Sequence, residues 1–239
     1  MTIHRILGQV ESYYKRAKMV EYTAKDGIIR EFLEARRGNS TYARKTAKQL
    51  AEKKEKFLHG VLDNSVMFIT LAGSYGSSYN ECKASWQKMP NAIGLFTKSL
   101  VRNKEVIKYM VVLEATEKGC CHAHLLFVWN RPLEVKEDRT LADRKLLSSI
   151  REKWLKAWMK VSDRDLKKNT ISVQVCPNKS EAERTFDYII KYLGMSSSIE
   201  KSLIAARDNK ASTHDLKKLF NNYWGFKLRK KLFRFSKNL

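Results

Sequence analysis

Acidic side chains are the minority charge in this sequence: 25 Asp and Glu stand against 47 Lys and Arg, a formal net charge of +22 over 239 residues. A surplus that large implies a polyanionic partner, nucleic acid first and an anionic membrane surface or a ribosome second. Binding through such a surface weakens steeply with salt, because each phosphate contact releases condensed counterions. Cysteine is scarce too. Cys82, Cys120, Cys121 and Cys176 form no C-x-x-C pair, and neighbours such as Cys120 and Cys121 seldom bridge to each other, so a reducing, intracellular (cytoplasmic) setting is expected. No apolar run approaches the ~20 residues of a membrane-spanning helix. Residues 1–7 hold no long apolar run either, so no secretory signal is expected. Internal repeats and extended low-complexity segments are missing. What is present is a 43% apolar content, enough for a packed core and too much for a disordered chain.

Composition divides the chain into three stretches. Residues 1–62 are rich in Lys, Arg, Glu and Ala, with Leu33, Ala43, Ala47, Leu50 and Ala51 at helical spacing, which predicts a basic helical extension, either solvated or in contact with DNA. Residues 63–195 change character. Val66 to Leu71 is a β-rich run closed by a Gly/Ser stretch; Ile107 to Leu113 and His124 to Trp129 read as a hairpin around Gly119, and Thr170 to Val175 as a fourth strand. A helix is expected over about 142–161, where Trp154 and Trp158 belong to an apolar stripe and read as core. Another is expected from Glu181 to Leu193, with Ser180 as its N-cap. Residues 196–239 carry eleven Lys/Arg against three Asp/Glu and read as a basic helical C-terminal extension. In its tail, Tyr223, Trp224 and Phe226 are interleaved with cations. That mixture suits single-stranded nucleic acid, where bases stack on rings; the alternative is that the rings dock the tail on the core.

The chemistry-bearing residues lie in the middle stretch. On a strand, His122 and His124 share one face, about 7 Å apart along the chain. Two imidazoles so placed can bind one divalent cation, although an isolated H-x-H also arises by chance. Glu114 ends the preceding strand, so hairpin pairing can bring its carboxylate opposite the histidines. Two His and one carboxylate leave positions open for a substrate oxygen. Further along, Tyr188 and Tyr192 are i and i+4 on a helix, with Lys191 beside the same face. Such a pair can be plain core packing. A tyrosine oxygen can also attack phosphorus, but with a free pKa of about 10 it needs help from a cation on the phosphate or an ammonium nearby.

Phe68-Ile69-Thr70-Leu71, then Glu114 with His122-Ala123-His124, then Tyr188-Ile189-Ile190-Lys191, resemble in order and spacing the three motifs of HUH-superfamily rolling-circle replication initiators (Rep endonucleases). The added Tyr192 makes a Tyr-x-x-Lys-Tyr pattern similar to the two-tyrosine initiators of plasmids and phages. The resemblance covers residues about 68–192. It implies an α+β fold, a central antiparallel β-sheet flanked by helices with an RRM-like core, occupying 63–195 between the extensions 1–62 and 196–239. It implies a metal-dependent endonuclease that nicks and rejoins single-stranded DNA at a plasmid or viral origin, such as a stem-loop, through a 5′-phosphotyrosine. His122, His124 and Glu114 would be the ligands of Mn²⁺ or Mg²⁺. Tyr188 would be the nucleophile, Lys191 would orient the phosphate, and Tyr192 would be a second nucleophile or a structural ring. A host polymerase would extend the free 3′-OH. No G-x-x-x-x-G-K-[ST] signature is present, so unwinding would fall to a separate host helicase.

One departure stands out. Cys120-Cys121 precedes the histidines where many relatives carry a small residue or proline, and thiolates beside imidazoles favour zinc. A relaxase or single-strand transposase would share the same residues. A basic nucleic-acid-binding protein with a structural or zinc-binding His pair is the reading from a different class, and it predicts DNA binding without cleavage.

Overall fold

The computed structural model describes residues 8, 19–23, 29–33, 40–73, 75–76, 78–102, 104–166, 170–194, 202, 204–206, 208, 210–228 and 232–236. Two short strands, β1 (Met19–Thr23) and β2 (Ile29–Leu33), pair only with each other. The frame is a five-stranded sheet of β3 (Val66–Ala72), β4 (Val106–Ala115), β5 (Cys121–Trp129), β6 (Ile171–Cys176) and β7 (Phe233–Phe235), in the order β6-β3-β5-β4-β7. Every neighbouring pair is antiparallel. Helices α1 (Ser40–Leu58), α2 (Tyr79–Val101), α3 (Arg144–Met159), α4 (Lys179–Gly194) and α5 (Thr213–Lys227) surround it. The fold is therefore the expected α+β arrangement, consistent with an HUH or RRM-like core. No helix among the described residues is long and apolar enough to cross a membrane.

Strand alternation sorts the core into two layers. Met67, Ile69, Leu71, Val111, Leu113, Ala123, Leu125 and Phe127 pack with Trp86 and Phe96 of α2 and Trp154 and Trp158 of α3. Both α3 tryptophans are buried, as their place in the apolar stripe predicts. On the other face Val66, Met110, Val112, Leu126 and Val128 meet Phe57 of α1 and Ala182, Phe186 and Ile189 of α4. Lys54 reaches Asp187 at 2.7 Å and ties α1 to α4. Because helices cover both faces and strands flank both edges, all nine residues of β5 are buried.

Several local expectations need correction. Within 1–62 the chain is helical over Ser40–Leu58, but Met19–Thr23 and Ile29–Leu33 form the antiparallel β1–β2 ladder, so Leu33 belongs to a strand. Both segments are rich in β-branched and aromatic residues, and Asp26-Gly27 between them is a hairpin signal that outweighs the helical spacing of a few apolar positions. The C-terminal stretch is helical in α5, but it also supplies β7, which pairs with Met110–Val112 of β4. Helix α4 starts two residues before Glu181. Asn178, not Ser180, caps it: Asn178 Oδ1 accepts from the backbone N–H of Glu181 at 3.0 Å. Helix α2 lies where no element was expected. Its start carries a capping box, Ser78 with Glu81.

Candidate metal centre

The register of the central hairpin sets Glu114 of β4 directly opposite His122 of β5, and Val112 opposite His124. All three polar residues point to the α4 side, the face of Val112 and Leu126, while Cys121 and Ala123 point to the α2–α3 side. Glu114 Oε2 lies 3.1 Å from His124 Nε2 and 3.7 Å from His122 Nε2. The two Nε2 atoms are 3.0 Å apart. One ligand atom from each of Glu114, His122 and His124 therefore falls within 4.8 Å of the others, and all three residues are buried.

Burial of such a cluster is costly unless its charges and lone pairs are satisfied. Burial, then the neighbouring His124, pushes His122 down to about 3, so that its ring is neutral at physiological pH. Burial on its own would raise the Glu114 carboxyl, but the bond to His124 and the charges of His122, His124 and Lys217 outweigh it, and the net shift is downward. A neutral imidazole and an ionised carboxylate are the forms that ligate a metal. Two buried atoms, Glu114 Oε2 and His122 Nδ1, have no well-aligned hydrogen-bond partner among the described residues. A divalent cation would answer the convergence of Oε2 with the two Nε2 atoms. The donor set thus fits a metal.

Supporting side chains fix the ligands. Thr70 Oγ1 lies 3.1 Å from His124 Nδ1, leaving Nε2 to face the cluster. Phe68 stacks on the His124 ring at 5.5 Å between centroids. Both come from the first motif, since Phe68 and Thr70 lie on one face of β3 and Thr70 pairs in register with His124. From α5, Lys217 Nζ reaches Glu114 Oε1 at 3.2 Å, and one turn on, Asn221 Oδ1 accepts the edge N–H of Ala115 at 2.6 Å. Lys217 carries no signal in the sequence, being 103 residues from its partner. Thr70 was legible as part of a motif, but its bond to His124 was not.

Of the predicted nucleophiles, Tyr188 stands on α4 over the same face. Its ring is 6.0 Å from that of His124, nearly perpendicular to it, and 47% exposed. Lys191 Nζ sits 4.5 Å from the centroid of the Tyr188 ring. Tyr192 lies on α4, but its side chain is outside the described residues, as is that of Phe226. Tyr223 and Trp224 are buried in the core, so these two rings dock α5 and are not available to stack on bases. The cysteines keep away from the cluster. Cys120 Sγ is 3.1 Å from Cys82 Sγ, and Cys121 belongs to the opposite layer, so the thiolates that would favour zinc do not join the three ligands.

Fold and cluster together define an α+β protein with a two-histidine, one-carboxylate pocket on one face of an antiparallel sheet. The model of the replication-associated protein ORF2 family matches residues 66–197, more than half of the chain, and the chain belongs to that family. That membership supports a part in DNA replication. No curated protein and no solved structure matches the chain.

Proposed function

We propose that this protein is a rolling-circle replication initiator of the HUH type, which nicks and rejoins single-stranded DNA at an origin through Tyr188. The observation that carries the reading is the approach of the half-exposed Tyr188 ring to within 6.0 Å of His124, on the same sheet face as the three candidate ligands. His122, His124 and Glu114 would hold Mn²⁺ or Mg²⁺, which when bound supplies Lewis-acid polarisation of the scissile phosphate. Tyr188 Oη gives up its proton to solvent and attacks phosphorus. As the Oη–P bond forms, the bond from phosphorus to the 3′ oxygen breaks. That oxygen takes a proton from water to become a 3′-OH, and the 5′ phosphate remains esterified to Tyr188. Lys191 places positive charge where negative charge develops in this step. Rejoining is the reverse attack, by an incoming 3′-OH on the phosphotyrosine, and Tyr192 would be either its second nucleophile or a structural ring. A host polymerase would extend the 3′-OH, with unwinding supplied by a separate helicase.

The test is covalent attachment. With Mn²⁺ and single-stranded oligonucleotides carrying the cognate origin, the protein is expected to form an adduct whose mass places the nucleotide on Tyr188, and Tyr188→Phe is expected to abolish it. An adduct of undiminished yield in Tyr188→Phe would remove Tyr188 from this role. Salt-sensitive DNA binding with no adduct under any metal would favour a non-catalytic binding protein.

A further inference from the structure

On the reverse side of the sheet from the metal centre, a cavity of about 320 Å³ opens between the second half of α2 and the β4–β7 edge. Its wall includes Lys98 and Arg102 of α2's C-terminal end, Arg234 of β7, Thr97, Tyr109 and Gly94, with no carboxylate among them. Alternation along β7 explains the arrangement. Phe233 and Phe235 pack toward the α4 face, so Arg234, in register with Val111, turns to the α2 face. There one guanidinium nitrogen donates to Thr97 Oγ1 at 3.3 Å, while the Thr97 hydroxyl donates to Ile93 O at 2.7 Å. The guanidinium is thereby held over the cavity by one of its five N–H groups, leaving others for a ligand. Glu105, the acidic residue closest in sequence on β4's approach, is engaged by Arg131 at 3.7 Å.

Three cations around a concavity, without a counter-charge in its wall, select a dianionic or monoanionic ligand. A planar guanidinium beside hydroxyls matches a phosphate ester. The volume is at the small end of the roughly 300–1,000 Å³ of small-molecule pockets, so it suits one nucleotide unit and not an extended cofactor. Tyr109 adds a half-buried ring for a base or sugar to lie against. Tyr109 and Glu114 both belong to β4, five residues or about 17 Å apart along the strand. Only the three-residue β7 lies outside β4 at this edge.

We infer that this pocket is a second nucleotide-phosphate site, which grips a phosphodiester of the same DNA strand after it has left the metal centre and crossed the β7 edge. The inference rests on the proposed reading in taking single-stranded DNA as the ligand. It adds a grip that makes affinity depend on strand length. A fragment confined to the metal centre does not feel the pocket, whereas a strand long enough to turn the edge does.

The experiment compares Arg102→Ala/Arg234→Ala with a control that removes two exposed cations elsewhere, Arg151→Ala/Lys160→Ala. Anisotropy is measured with oligonucleotides of ~5 and ~16 nucleotides, the span of known single-strand site sizes. The pocket variant is expected to bind the longer strand roughly tenfold more weakly than the control does. Its salt slope should fall by about 0.7 for each phosphate that the pocket no longer grips. Binding of the short strand should match the control. Equal behaviour of pocket variant and control at both lengths would overturn the inference, while an intact Tyr188 adduct in the same preparations would leave the initiator reading standing. Conversely, loss of long-strand affinity in a protein that forms no adduct would uphold the pocket and sink the nicking reading. Deoxyadenosine monophosphate and inorganic phosphate form the third arm. Saturable micromolar binding of either, abolished in the pocket variant, would assign the site to a free nucleotide or phosphate and overturn the strand assignment. Arg102→Ala alone, at the exposed end of α2, checks that the long-strand effect is not a folding defect: it should melt like the wild type and show part of the effect.

Discussion

At the scale of single residues, the site is held by contacts that span the chain. Glu114 is 1% exposed, and a buried carboxylate without compensation is strongly destabilising. Lys217 supplies that compensation at Oε1 while Oε2 faces the imidazoles. Lys217→Met is therefore expected to lower stability by roughly 2–4 kcal/mol, somewhat under the cost of breaking a fully buried pair because the lysine is partly solvated. Mn²⁺ should then raise the melting temperature of the variant more than that of the wild type, since the metal's charge replaces the missing one and ligands stabilise the state that binds them. A smaller Mn²⁺ increment in Lys217→Met than in wild type would contradict this role for Lys217. The three ligands themselves were legible in the sequence, because strand alternation and a single hairpin fix their relation. Lys217 was not, because nothing local to residue 217 reports the far strand it will meet.

Elements were legible where periodicity was strong and obscured where capping or pairing decided the outcome. The core strands and α3 follow from their apolar patterns. The β1–β2 ladder was hidden in a stretch of helix-forming composition, and the α4 cap moved from Ser180 to Asn178. Helix α2 depends on its start. The Glu81 carboxyl accepts from Ser78 Oγ, from Arg164 and from the backbone N–H groups of Gly76 and Ser78, which lowers it from 4.5 to about 2. A depressed folded-state value means that this contribution to stability is fully present above the unfolded value near 4.5 and is lost as pH falls toward 2. Thermal melts of wild type and Glu81→Gln are expected to differ at pH 7 and to converge as pH drops through that window. A gap that stays constant from pH 7 to pH 3 would mean that the ionised carboxylate is not what secures the start of α2.

Across the whole molecule, the C-terminal stretch behaves as a structural part of the family domain. Leu219, Phe220, Tyr223 and Trp224 are each 5% exposed or less and lie in the main core, and Asn221 and β7 finish the edge of β4. Truncating a buried Phe or Trp to Ala costs about 3–5 kcal/mol. Whole domains are stable by only about 5–15 kcal/mol. A chain ending at residue 197, where the family match stops, therefore loses more stabilisation than a domain has in reserve. It is expected to show no cooperative thermal transition by circular dichroism. A sharp transition at the full-length temperature would show that α5 and β7 are dispensable. The sequence presented this stretch as a basic tail with aromatics. Whether such rings stack on bases or on the protein is decided by the partners available in the fold, which composition does not reveal.

The enclosure of β5 has a consequence for how the centre meets its ion. Its backbone amides can exchange with solvent only when the sheet opens as a unit, so the imidazoles of His122 and His124 ride on the segment with the least freedom to wander. A cation arriving there finds its ligands already in position and spends little of its binding free energy on ordering them, and losing the site then amounts to losing the fold.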